Sequence, residues 1–164
     1  MLNPIDPTDK AAIQAFQPLA GIRVAEFSQM VMGPSCGLIL ADLGADVVKV
    51  EPPKGDRTRH FKSVASGFFN TYNRNKRSMV IDTATPEGKA VAKRLIERAD
   101  ILIENFRPGL LGRSGLDYAT VSAYAPRLIY CSLKGYLPGP YENRLALDEV
   151  VQMMGGLADM TGGR

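Results

Sequence analysis

The amino-acid sequence predicts an α/β fold, a Rossmann-like, largely parallel sheet with flanking helices. Short runs of branched apolar residues alternate with amphipathic segments along the chain. Residues 21–53 form a strand–helix–strand unit whose first turn contains glycine. No internal repeat or low-complexity linker interrupts the alternation.

Within the strand–helix–strand unit, residues 22–27 (IRVAEF) read as a buried strand. Gly33-Pro34-Ser35 ends it, and Pro34 suits the first turn of a helix, where its missing N–H costs nothing. Leu38, Leu40, Ala41 and Leu43 predict the apolar side of that helix, and Gly44 its stop. Residues 46–51 (DVVKVE) read as a second strand, closed by Pro52 and Pro53. A right-handed crossover then makes the two strands parallel.

Residues 1–20 carry prolines and little periodicity and are expected to form an N-terminal arm, with the folded portion at 21–164. Residues 54–59 (KGDRTR) form a polar loop beyond the carboxyl end of the second strand, where open α/β sheets bind ligands. A solvated loop explains its composition equally well. Residues 67–75 are aromatic and amide-rich, with no element assigned, and a strand is expected over 78–82. Thr85 and Pro86 make a helix start, and Ala90, Val91, Leu95 and Ile96 its buried side. A strand over 101–106 (ILIENF) ends at Arg107-Pro108-Gly109. A short turn or helix is expected at 110–116, a helical piece at 118–125 and a strand at 128–133. One final helix, weakened by Gly155-Gly156, is expected over 147–160.

With 45% apolar and 23% charged residues in 164, the composition is that of a globular domain with a real core. No apolar run approaches the ~18 residues of a membrane span. The N-terminus lacks the basic start and apolar block of a secretory signal, so none is expected, and reduced thiols would fit the cytoplasm. Cys36 and Cys131 lie in apolar segments outside any CxxC or Cys/His cluster, so reduced core thiols are preferred over a disulfide. A formal charge of +3 suits a phosphorylated small molecule better than nucleic acid.

Several chemistries fail at the residue level. Glu51 ends the second strand where a nicotinamide cofactor's ribose would meet an acid. However, the turn SQMVMGPSCG lacks the GxGxxG pattern and is flanked by the bulky Met30 and Met32. No P-loop and no G-x-S-x-G turn occurs. His60 is the one histidine, and no carboxylate cluster has ligand spacing, so no metal is expected. Asp148, at the start of the final helix, reads as an N-cap or as an acid projecting into a site. Arg57, Arg59, Arg74, Lys76, Arg77, Arg107 and Arg113 stand near strand ends, where they are either phosphate ligands or solvated charges.

Taken in order, LGADVVKVE, NKRS, ADILIENFRPG and LDEVVQMMGGLADMTG resemble the class III CoA-transferase family, the CaiB/BaiF type that includes formyl-CoA transferase. The resemblance spans residues 21–162 and implies CoA transfer between carboxylic acids through enzyme-bound anhydride and thioester intermediates. By position it implies that Asn105, Phe106 and Arg113 contact coenzyme A, and that Met30, Met32 and Ile81 line its path. It also places the nucleophilic aspartate downstream of Gly162, so that residue is expected beyond Arg164. This reads as the N-terminal part of a longer enzyme, and Asp148 as an acid near its active site. Family members form interlocked dimers, so a homodimer is implied for the full-length form. The implied partners are an acyl-CoA and a carboxylic acid, with no nucleic acid, membrane or metal. Val31 stands where formyl-CoA transferases carry glutamine, which disfavours oxalate. Leu147 stands where 2-methylacyl-CoA racemases carry histidine, which disfavours racemisation. Dicarboxylates such as succinate or mesaconate stay open, as does a non-catalytic CoA-binding remnant.

Overall fold

The computed structural model describes residue 8, residues 16–62 and residues 66–162. Five strands form one sheet: β1 (Arg23–Phe27), β2 (Asp46–Glu51), β3 (Arg77–Val80), β4 (Ile101–Glu104) and β5 (Ile129–Ser132). Their order is β3-β2-β1-β4-β5, and every neighbouring pair is parallel. The helices are α1 (Met32–Asp42), α2 (Phe68–Asn73), α3 (Pro86–Ile96), α4 (Tyr118–Tyr124), α5 (Asp148–Met154) and α6 (Leu157–Met160). Among the described residues, two 3-10 turns, Arg57–His60 and Leu111–Ser114, follow β2 and β4. The chain steps outward from β1 to β3 and then returns to the other side of β1, so the strand order reverses between β1 and β4. In such sheets that reversal opens a crevice at the carboxyl ends.

Side chains alternate across each strand, so β1 feeds two cores. Ala25 and Phe27 join Val50, Ile81 and Leu102 against Ala92 and Ile96 of α3 and Val121 of α4. Val24, on the opposite face, joins Val47, Ile103 and Ala41 of α1. The α/β expectation is therefore met with helices on both faces.

The start of α3 is as the sequence predicts. Thr85 Oγ1 accepts a hydrogen bond from Gly88 N at 3.0 Å, and Pro86 occupies the first turn. Gly44 follows the end of α1 at φ 98°, a conformation that disfavours any side chain. The buried side of α1 includes Ala41 as expected but otherwise differs from the leucine stripe, because Gly33, Pro34 and Gly37 face inward beside it. Leu38 and Leu40 are only half-buried and Leu43 is exposed. Close approach explains the shift: a Cβ on Gly37 would run into the Glu26 carboxylate, and one on Gly33 into Ser28.

Other elements also need correction. Residues 67–75 contain α2, whose Asn73 Nδ2 donates to Phe69 O at 2.9 Å. The final helix is two pieces, broken where Gly156 takes φ 76°. Leu147, not Asp148, holds the N-cap position of α5; Asp148 Oδ2 instead accepts from Gln152 Nε2 at 2.7 Å. The apolar face of α5 and α6 is exposed, including Val151, Met153, Leu157 and Met160. Of the expected arm, residues 1–7 and 9–15 lie outside the described residues, while Leu19 N donates to Leu43 O at 3.0 Å. Cys36 and Cys131 are free thiols, both half-buried. Burial, followed by the neighbouring Cys131, pushes the Cys36 thiol above its ordinary value. Among the described residues, no helix is long and apolar enough to cross a membrane.

Candidate functional site

A cleft of about 540 Å³ lies at the carboxyl ends of β1, β2, β3 and β4. Its apolar lining includes Phe27, Val50, Ile81, Phe106 and Leu111, and its cations are Arg57, Lys89 and Arg113. The volume suits a small ligand or part of a larger one. Each wall is a loop leaving the sheet, so what holds those loops decides the shape of the site.

Buried glutamates at the strand ends hold them. Glu26, one residue before the end of β1, accepts from Ser28 Oγ at 2.6 Å; Lys76 Nζ lies 2.7 Å away. Glu51 ends β2 and accepts from Asp56 N at 2.9 Å, Ser78 Oγ at 2.6 Å and Arg59 Nε and Nη2 at 2.7 Å. Glu104 ends β4 and accepts from Phe106 N at 2.9 Å, Lys134 Nζ and Ser132 Oγ. Burial alone would raise the Glu51 pKa. The hydrogen bonds from Arg59, Ser78 and the Asp56 amide outweigh it, together with the Arg59 charge, and hold the carboxyl down at about 2.

Lys49 joins one of these anchors, Glu26, to Asp56 inside the protein. Its ammonium, 1% exposed, lies 3.0 Å from Asp56 Oδ2 and donates to Ser28 O at 3.0 Å and Glu26 Oε1 at 3.4 Å. The other Asp56 oxygen accepts from Thr58 N and Oγ1, which starts the 3-10 turn after β2. Burial lowers the Lys76 pKa, and the adjacent Glu26 opposes that shift. Charges removed from water this far must be paired, and here lysines alternate with carboxylates.

The residues singled out by resemblance are distributed unevenly. Ile81, Phe106 and Arg113 line the cleft. Asn105 sits beside it with its amide committed: Oδ1 accepts from Gln29 N and Nδ2 donates to Gln29 O, both at 2.9 Å. It thereby braces the loop after β1, where Met30 is held at φ 67°. Met30 and Met32 are exposed on the turn into α1 and do not line the cleft. Asp148 lies on exposed α5, away from the lining. Arg57, one of the candidate phosphate cations, lines the cleft, whereas sequence reasoning missed Lys89. It also missed Glu26, Lys49 and Asp56 as a buried network. The available signal was a charge inside an otherwise apolar strand.

Most candidate phosphate-binding cations are already paired. Arg59 meets Glu51 at 2.7 Å, Arg74 meets Asp42 at 2.6 Å, Lys76 meets Glu26 at 2.7 Å, and Arg77 pairs with Asp46. Glu51 is likewise enclosed by donors from its own protein, so the ribose role considered from its position has no free carboxylate behind it. Arg57 and Arg113 have no carboxylate within ion-pair distance among the described residues. No group of metal-ligating side chains occurs among the described residues.

Comparison with known proteins agrees with this architecture. The family model described as CoA-transferase family III matches residues 19–164. A succinate–glutarate CoA-transferase of Agrobacterium fabrum is 43% identical over 157 residues, covering 88% of this chain and 39% of the relative. A formyl-CoA:oxalate CoA-transferase of Bradyrhizobium is 44% identical over 151 residues, covering 89% of this chain and 36% of the relative. The crystal structure of a CaiB/BaiF family protein from Brucella suis matches with TM-score 0.82 and 43% identity, over 89% of this chain and 41% of that one. The chain thus spans about two-fifths of the length of the relatives it matches. On its ordered motifs, its all-parallel sheet and these matches, the chain belongs to CoA-transferase family III.

Proposed function

We propose that this chain supplies the coenzyme A-binding part of an acyl-CoA:carboxylate CoA-transferase. The observation that carries the reading is the cleft itself. It sits at the ligand-binding end of the sheet, with an apolar floor beside Arg57, Lys89 and Arg113. An apolar floor suits the adenine and pantetheine of coenzyme A, and the cations suit its phosphates.

The chemistry of such an enzyme needs a carboxylate nucleophile. It attacks the acyl-CoA carbonyl, and the CoA thiolate leaves, giving an acyl-aspartyl anhydride. The thiolate then attacks the aspartyl carbonyl of that anhydride and releases the first acid. The incoming carboxylate attacks the aspartyl thioester and expels the thiolate, giving a second anhydride; the thiolate then attacks its new acyl carbonyl, which forms the product acyl-CoA and frees the aspartate. The resemblance puts that aspartate beyond Arg164, and Asp148 is an acid near it rather than its substitute. Dicarboxylates such as succinate or mesaconate are the favoured acids, supported by the match to the succinate–glutarate enzyme and by Val31 on the turn after β1. The full-length protein works as a cytoplasmic homodimer in this reading.

Calorimetric titration of the chain with coenzyme A tests the binding half, with Arg113→Ala and Asn105→Ala alongside. Saturable binding weakened by both changes is expected. A folded chain that binds no coenzyme A refutes the reading. A chain that binds it, in a protein whose downstream segment lacks the aspartate, makes this a non-catalytic binder instead.

A further inference from the structure

Coenzyme A carries phosphate charge in two places, a diphosphate and a ribose 3′-phosphate. The cleft carries its cations in two places as well. Lys89 and Arg113 form one locus: Lys89 Nζ donates to Arg113 O at 3.2 Å, tying α3 to the 3-10 turn that follows β4. Arg57 is the other, at the start of the 3-10 turn that follows β2. β2 and β4 flank β1, so the strands behind Arg57 and Arg113 stand two sheet spacings apart, about 10 Å. Two separate cation loci suit a nucleotide that bears phosphates at two positions.

Arg57 is available because no carboxylate among the described residues lies within ion-pair distance of it. Asp56, its neighbour in sequence, gives Oδ1 to Thr58 and Oδ2 to Lys49. Glu51 is bound by Arg59 and Ser78. Asp82, the remaining acid of the lining, accepts from Ala84 N at 3.0 Å. The Arg57 guanidinium is thus an exposed fork at the mouth of the cleft with no partner in the ion-pair network of the described residues.

Resting on the coenzyme A reading above, we infer that Arg57 binds the 3′-phosphate while Lys89 and Arg113 hold the diphosphate. The cleft then distinguishes coenzyme A from its 3′-dephospho form. A terminal phosphate presents paired oxygens to one guanidinium, whereas two adjacent cations match the two phosphates of a diphosphate.

The test is calorimetric titration of the 164-residue chain with coenzyme A and with 3′-dephospho-coenzyme A, using wild type, Arg57→Gln, Arg57→Lys and Arg113→Gln. Circular dichroism confirms that each is folded. Wild type is expected to prefer coenzyme A by about ten-fold or more, the size of one charge-assisted hydrogen bond. Arg57→Gln should bring the ratio close to one by weakening coenzyme A alone, and Arg57→Lys should recover part of it. Arg113→Gln should weaken both ligands and keep the ratio. The inference is overturned if Arg57→Gln leaves the ratio intact or weakens both ligands equally. Equal binding of the two ligands by wild type overturns it too, while leaving the coenzyme A site standing. A folded wild type that binds neither ligand overturns both readings.

Discussion

Glu51→Gln isolates the anchor at the end of β2. The carboxylate accepts hydrogen bonds from Arg59 Nε and Nη2, Ser78 Oγ and Asp56 N, and its pKa falls from 4.5 to about 2. A shift of that size is worth on the order of 3 kcal/mol, and exposure of Arg59 reduces it to roughly 2–3 kcal/mol. Because the folded pKa lies below the unfolded one, this stability is fully present above about pH 4.5. It is lost as pH falls through about 2. Glutamine keeps the shape, removes the charge and turns an amide donor toward other donors. Urea unfolding of both proteins at pH 7, 5, 4 and 3 measures the difference. A gap of roughly 2–3 kcal/mol at pH 7 should shrink to less than half by pH 3. A gap of equal size at pH 7 and pH 3 would show that Glu51 contributes through packing and not through its charge, and would refute the reasoning.

Gly37→Ala should lower the melting temperature, although alanine in a helix interior ordinarily adds up to about 1 kcal/mol. The new Cβ meets the Glu26 carboxylate under α1, and a raised melting temperature would contradict that contact. Lys49→Met leaves Glu26 and Asp56 without their shared ammonium. Chemical denaturation should show a loss of about 3–5 kcal/mol. Asn105→Ala frees Gln29 and should cost about 1–3 kcal/mol of stability through the two backbone groups left unpaired. It should also weaken coenzyme A binding, read by calorimetry, without changing the preference for the 3′-phosphate.

The sheet was legible because its strands are apolar runs punctuated by glycine and proline. Gly44 and Thr85-Pro86 mark helix ends through backbone requirements that act locally, so residue type alone reveals them. The side of α1 that faces the sheet was misread because close packing, not hydrophobicity, selects it. Leucines give the stronger periodic signal, but only glycine fits over Glu26 and Ser28. The same limit applies to the site. Residue type marks Arg57, Arg59, Arg74 and Arg77 alike as candidates, and only the partners each one meets tell them apart. Those partners, Glu51, Asp42 and Asp46, come from elsewhere in the chain.

The buried glutamates explain why a sheet of apolar strands ends in a site at all. An apolar residue in place of Glu26, Glu51 or Glu104 would fill the core but leave the following loop's donors without acceptors. Glutamate has the reach to stay buried and still accept from that loop, as Glu51 does from Asp56 N and Glu104 does from Phe106 N. The cost of burying each charge is then offset by a cation from another segment: Lys76 for Glu26, Arg59 for Glu51, Lys134 for Glu104. Each pairing ties one loop to another, so the cleft is shaped by a shared set of ion pairs rather than by each loop separately. A consequence follows for Arg57 and Arg113. Since the anchoring carboxylates are saturated by other cations, these two arginines can face the cleft without collapsing onto the wall, and that leaves them free to meet a ligand's phosphates.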